Sequence, residues 1–233
     1  MTAAREQMLE KIRASLGRGR LAVERVAELE AALTRPRPGI VPGRGRPPAK
    51  DLIDIFRKEA ERVDATVDLI DNMEEIPAAI KSFLGSNELP PFLKVAAEPR
   101  LQAVPWAKES SLEVAFGPAQ AEDAATLSRA FAGVAETGTL VMASGPGSPQ
   151  AMNFISETHI VALWAGDLVG AYEDAWVMLR KSDKGGGVSG QFMPRAVTWI
   201  SGPSRTADIE QELLLGAHGP LRLHIVIIRS GDV

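Results

Sequence analysis

Three short stretches hold the residue types that can do chemistry. The first is Ser201-Gly202-Pro203-Ser204-Arg205-Thr206-Ala207-Asp208-Ile209-Glu210. An apolar run, Ala196 to Ile200, leads into it, and a periodic apolar segment, Ile209 to Leu215, leads out. That order predicts strand, tight turn and helix. Gly202 and Pro203 set the turn. Ser204, Thr206 and Asp208 are helix starters, because a short side-chain oxygen accepts from the orphan N–H groups of a first turn. Asp208 and Gln211 have capping-box spacing. A polar loop that brings backbone N–H groups and one Arg to a strand end can hold an anion. Arg205 would grip a carboxylate through paired donors. Asp208 and Glu210 complement the helix dipole themselves, which argues against a highly charged phosphate. The competing reading is a capped helix with a solvated Arg.

The second stretch is Val134-Ala135-Glu136-Thr137-Gly138-Thr139, with apolar runs on both sides that predict a tight hairpin or sharp bend. Glu136 stands in an otherwise uncharged neighbourhood. A carboxylate there must be hydrogen-bonded, paired or functional, since burying it alone is costly. Thr137 and Thr139 could supply the hydroxyl donors, which is the structural alternative to a catalytic Glu136. The third stretch is Leu215-Gly216-Ala217-His218-Gly219-Pro220. His218, in a Gly-flanked loop, is well placed for proton transfer. His159 and His224 fall in apolar strands and read as hydrogen-bonded core residues. No H-x-x-x-H pair lies on a helix, so no metal site is expected. Neither a phosphate-binding G-x-x-x-x-G-K-[ST] loop nor a G-x-G-x-x-G turn is present; Gly185-Gly186-Gly187 is a flexible loop.

The elements that must position these stretches alternate. Leu52 to Arg62, Ile76 to Leu84 and Asp167 to Lys181 carry helical apolar stripes. Ala65 to Ile70, Phe92 to Ala96, Leu112 to Phe116, Thr158 to Trp164 and Leu221 to Ile228 read as strands. Such alternation predicts an α/β fold with a largely parallel sheet. Ahead of it lie two amphipathic segments, 4–15 and 21–33, and a Pro/Gly/Arg-rich stretch. Residues 1–49 therefore read as a helical arm with a linker, and residues 50–233 as the α/β domain.

Composition narrows the function. With no Cys, disulfides, thiolate nucleophiles and Cys-ligated iron–sulfur clusters are excluded. Residues 1–50 hold 11 Lys+Arg against 5 Glu, and residues 51–233 hold 15 against 25 Asp+Glu. The acidic body is a poor fit for nucleic acid, while the basic arm could meet an acidic partner. Charges at Arg5, Glu6, Glu10 and Lys11 interrupt any signal-peptide core. No segment has the uninterrupted apolar length to cross a bilayer, so a cytoplasmic location is the expectation.

The three stretches, taken in order, resemble the lactate utilization protein C family, the LUD-domain proteins. The resemblance covers about residues 51–233. It implies a Rossmann-like sheet of the CoA-transferase and sugar-phosphate-isomerase type, flanked by helices, with an N-terminal helical extension. It also implies a component of L-lactate oxidation to pyruvate that acts with iron–sulfur partner proteins. The clusters would reside in those partners, and this chain would carry no cofactor. The anion would meet Thr137, Gly138, Thr139, Ser201, Gly202, Ser204, Arg205, Thr206, Asp208, Gly216 and Gly219, with His218 closing the site. The fold kinship keeps open an acyl-transfer enzyme using Glu136. A homo-oligomer is also open.

Overall fold

Near-continuous apolar runs at Thr158–Trp164 and Arg222–Ile228 become interior strands of a parallel sheet, as strands covered on both faces should. The computed structural model describes residues 2–17, 19, 21–34, 36, 39–182, 193–206, 214–216 and 218–230. The chain divides into two units, Met1–Gly39 and Ile40–Val233. The smaller contains α1 (Thr2–Ser15) and α2 (Val23–Thr34), whose apolar residues Met8, Ile12, Val23 and Leu29 are exposed.

Among the described residues of the larger unit, the helices are α3 (Leu52–Arg62), α4 (Ile76–Ser86), a single turn α5 (Pro99–Gln102) and α6 (Tyr172–Lys181). The strands are β1 (Thr66–Ile70), β2 (Phe92–Val95), β3 (Glu113–Phe116), β4 (Ala125–Arg129), β5 (Ala132–Val134), β6 (Thr139–Ala143), β7 (Thr158–Trp164), β8 (Leu168–Val169), β9 (Val197–Ile200), β10 (Arg205–Thr206), β11 (Leu214–Leu215) and β12 (Arg222–Ile228). Among the described residues, six strands form one sheet in the order β1-β12-β7-β4-β2-β3, every neighbouring pair parallel. A second sheet, β8-β5-β6-β9, is mixed.

Strand periodicity decides the layers. Ile160, Ala162, Trp164, Val226 and Ile228 face one way and pack with Ile76, Ile80 and Leu84 of α4. Their neighbours Val161, Leu163, Ile225 and Ile227 face the other way, against Phe56 and Ala60 of α3 and Leu140 and Met142 of β6. The second sheet buries its opposite face, through Ala132, Val134 and Val141, under Ala175 and Leu179 of α6. The α/β architecture and the mostly parallel sheet agree with the sequence.

Three local expectations need correction. The helix predicted from Asp167 starts at Tyr172; Leu168–Val169 instead pair in parallel with Gly133–Val134. Asp174 then accepts from the Ala171 N–H at 3.2 Å and closes the helix start. The helix predicted to reach Leu215 ends otherwise, because Leu214–Leu215 pair antiparallel with Arg205–Thr206; residues 207–213 lie outside the described residues. Strand β4 was not anticipated. Its Ala-Thr-Leu-Ser-Arg sequence has weak strand propensity, and its polar Thr126 and Ser128 are satisfied by hydrogen bonds inside the core.

Candidate functional site

The loop after β9 and the loop before β12 are stitched together. The Ser204 N–H donates to Pro220 O at 2.9 Å, and the Gly216 N–H to Ser204 O at 3.0 Å. The His218 N–H reaches Ser204 Oγ at 3.4 Å. Gly202 has φ +75°, and a Cβ there would sit 2.2 Å from the carbonyl oxygen of Val63. Only Gly allows this approach, which seats the loop on the C-terminal end of α3. The backbone groups at Ser204 and Gly216 therefore fasten two loops to each other rather than standing open as an anion cradle, a correction to the sequence reading.

Between the loops lies a cavity of about 250 Å³. Ser201, Gly202, Ser204, Arg205, His218 and Gly219 all line it, so the structure brings together six of the residues singled out in the sequence. Arg205 forms an ion pair with Asp64, and both side chains are substantially solvent-exposed. An exposed pair of this kind holds weakly, at roughly 0–1 kcal/mol, so an incoming carboxylate can compete for the guanidinium.

The remaining sequence candidates lie elsewhere. Thr137 and Thr139 hydroxyls bond to each other at 2.8 Å and to Tyr172 Oη at 3.0 and 2.9 Å. Thr139 Oγ1 also meets Ser201 Oγ at 2.6 Å, so this network supports the cavity wall from behind. Gly138, at φ +61°, packs on the backbone of Ala60. Gly216 packs on Leu221, and Thr206 is buried; neither lines the cavity. Asp208 lies outside the described residues. Glu136 is buried but faces Gly45 and the exposed Arg44, whose Nε is 3.5 Å from Oε2. It is not among the cavity-lining residues, and the two threonines do not donate to it.

His159 is a hydrogen-bonded core residue, as its place in an apolar strand predicts; its position at the cavity is what the sequence did not show. The residue is fully enclosed in β7, yet it lines the cavity. Nε2 lies 2.6 Å from Ser128 Oγ, and Ser128 Oγ donates to Asn153 Oδ1 at 3.4 Å. The donor across the Nε2–Oγ contact depends on the tautomer; with the proton on Nε2, Nδ1 is an acceptor. Nδ1 has no hydrogen-bond partner among the described residues. Burial pushes the imidazole pKa down to about 3, so the ring is neutral at physiological pH. A polar side chain inside an otherwise apolar strand was the available signal. Among the described residues no group of His, Asp or Glu side chains could hold a metal ion.

Residues 53–228 match the family described as the LUD domain. The chain belongs to the LUD-domain family. Relatives of this LUD-domain protein include a lactate utilization protein C of an Exiguobacterium species, 33% identical over 101 residues, 43% of this chain and 42% of that one. Another, from Geobacillus kaustophilus, is 28% identical over 131 residues, 53% of each chain. Matches of this kind span about half, or less, of the length of these curated relatives. A crystal structure of a DUF162 family protein from Deinococcus radiodurans superimposes with a TM-score of 0.59 at 20% identity, over 78% of this chain and 99% of that one. That likeness concerns the fold alone.

Proposed function

We propose that this LUD-domain protein is a component of L-lactate utilization and that its cavity holds a small 2-hydroxy acid. The relatives' names support the role. The observation that carries the ligand class is His159, which lines the same cavity as Arg205 and His218 and whose buried Nδ1 has no partner among the described residues. An Arg beside a hydrogen-bond acceptor matches a carboxylate beside a hydroxyl. Arg205, released from Asp64, takes the carboxylate; His159 Nδ1 accepts from the 2-hydroxyl; His218 covers the mouth. Oxidation to pyruvate would be completed with iron–sulfur partner proteins in the cytoplasm, since clusters of that kind are held by thiolates and this chain has no Cys.

Calorimetric titration of the full chain with L-lactate, pyruvate and propionate tests this. L-lactate should bind roughly tenfold more tightly than propionate, because a site that accepts a hydroxyl proton discriminates against the analogue lacking it. Arg205→Gln should weaken every acid by about tenfold or more, the usual worth of a charged hydrogen bond. Asp64→Asn should strengthen binding by about two- to fivefold, since it removes a surface competitor. Asn tolerates the φ of 60° at that position. No binding of lactate or pyruvate to the wild-type chain would reject the proposed ligand.

A further inference from the structure

A second cavity, of about 550 Å³, lies at the opposite end of the parallel strands. The sheet order places its switch point between β2 and β4: from β2 the chain continues outward to β3, while from β4 it continues inward to β7. In open parallel sheets the crevice outside the carboxyl ends at such a point is where ligands bind. This cavity occupies that crevice. Its walls come from the residues just after β2, from Arg129 at the end of β4, from Phe131, and from Ala143 with the turn that follows β6. The turn is held shut by paired backbone bonds between Gly145 and Ser148 at 3.2 and 3.1 Å. Gly147 lies so close to the chain leaving β2 that a Cβ would fall 2.4 Å from Ala97 O. The crevice is thus built and fixed, at a volume typical of small-molecule sites, roughly 300–1,000 Å³.

Its chemistry is two-sided. Phe131, Ala143 and the neighbouring prolines make apolar walls. At one end stand two guanidiniums. Arg129 is nine-tenths buried and held by Glu98 at 2.7 Å and Asp167 at 3.3 Å. Arg100 lies over the Trp164 ring at 5.2 Å and meets Asp167 through Nη1 at 3.4 Å. Among the described residues those are the polar and ring contacts of Arg100, so Nε and Nη2 are available to a ligand. Among the described residues Asp167 is not on the cavity wall, and the wall carries two guanidiniums against one carboxylate, Glu98. We propose that this cavity is a binding site for an amphipathic organic acid, with its apolar body against Phe131 and Ala143 and its carboxylate on Arg100. The site is separate from the 2-hydroxy-acid cavity and does not depend on it.

The test uses the full chain, with 2-naphthoate as probe and 2-naphthalenemethanol as its uncharged counterpart, read by calorimetry. The acid should bind about tenfold more tightly than the alcohol, and Arg100→Gln should remove that difference, as loss of a charged hydrogen bond predicts. Ala143→Trp fills the crevice and should abolish binding of both. Arg205→Gln, in the other cavity, should leave naphthoate binding unchanged. The proposal is overturned if the wild type does not bind naphthoate, if Arg100→Gln leaves its affinity unaltered, or if Arg205→Gln removes the binding. Arg100 is partly exposed, so its variant reads out even if the tryptophan variant fails to fold.

Discussion

His159 and His224 are both buried and both neutral, for the same reason. Burial pushes their pKa values down to about 3 and about 4; for His224 the carboxylate of Asp68 partly opposes the shift. His224 is further fixed by Thr66 Oγ1 at 2.9 Å and by stacking on Phe83 at 3.9 Å. The unfolded chain, with ordinary values near 6.5, binds more protons than the native one below that pH. Stability is therefore full above about pH 6.5 and falls as the pH drops toward 3–4. Each histidine should cost up to about 2 kcal/mol at pH 5, from roughly 1.4 kcal/mol per pH unit. Chemical denaturation at pH 7, 6 and 5 should show this decline. His159→Gln should remove one share of the slope whatever its effect at pH 7, and an unchanged slope would mean that His159 is protonated in the native state.

At the scale of elements, close backbone approaches fix the geometry around the first cavity. Gly138 seats the β5–β6 turn on α3, and Gly202 seats the β9 loop on the end of the same helix. Helix α3 is thus the platform on which two of the three candidate stretches rest. Gly138→Ala places a Cβ 2.2 Å from the Ala60 nitrogen at a φ of +61°. It should destabilise by roughly 2 kcal/mol or more, as a shift in urea midpoint will show. Gly85→Ala, inside α4 with nothing within 4 Å of the new methyl, should instead stabilise by about 0.5–1 kcal/mol.

At the scale of the molecule, each of the three buried apolar clusters among the described residues draws its members from Leu52 onward. A chain beginning at Ile40 should keep its core, and its melting temperature should stay within a few degrees of the full chain, as differential scanning calorimetry can check. The strands also give the larger unit a polarity. The first cavity lies by the amino ends of β7 and β12, where His159 and Leu223 are second residues of their strands, and the second lies at the carboxyl ends of β2 and β4. Among the described residues no helix is long and apolar enough to cross a membrane.

The sequence by itself determined the alternation of helices and strands. Thr158–Trp164 and Leu52–Arg62 were legible to the residue, because apolar period and turn residues are local properties. It also supplied most of the cavity rim, since Ser201 to Arg205 and His218 to Gly219 stand in loops whose composition announces them. Only the tertiary structure decided the rest. Periodicity says which faces are apolar but not which faces meet, so the pairing of Arg205 with Asp64, the seating of Gly138 on Ala60, and the turning of Glu136 toward Arg44 were not readable in the chain. The same limit hid the setting of His159: in sequence it is one polar residue in a buried strand, and only the fold sets its ring against a cavity, with Nδ1 unpartnered among the described residues.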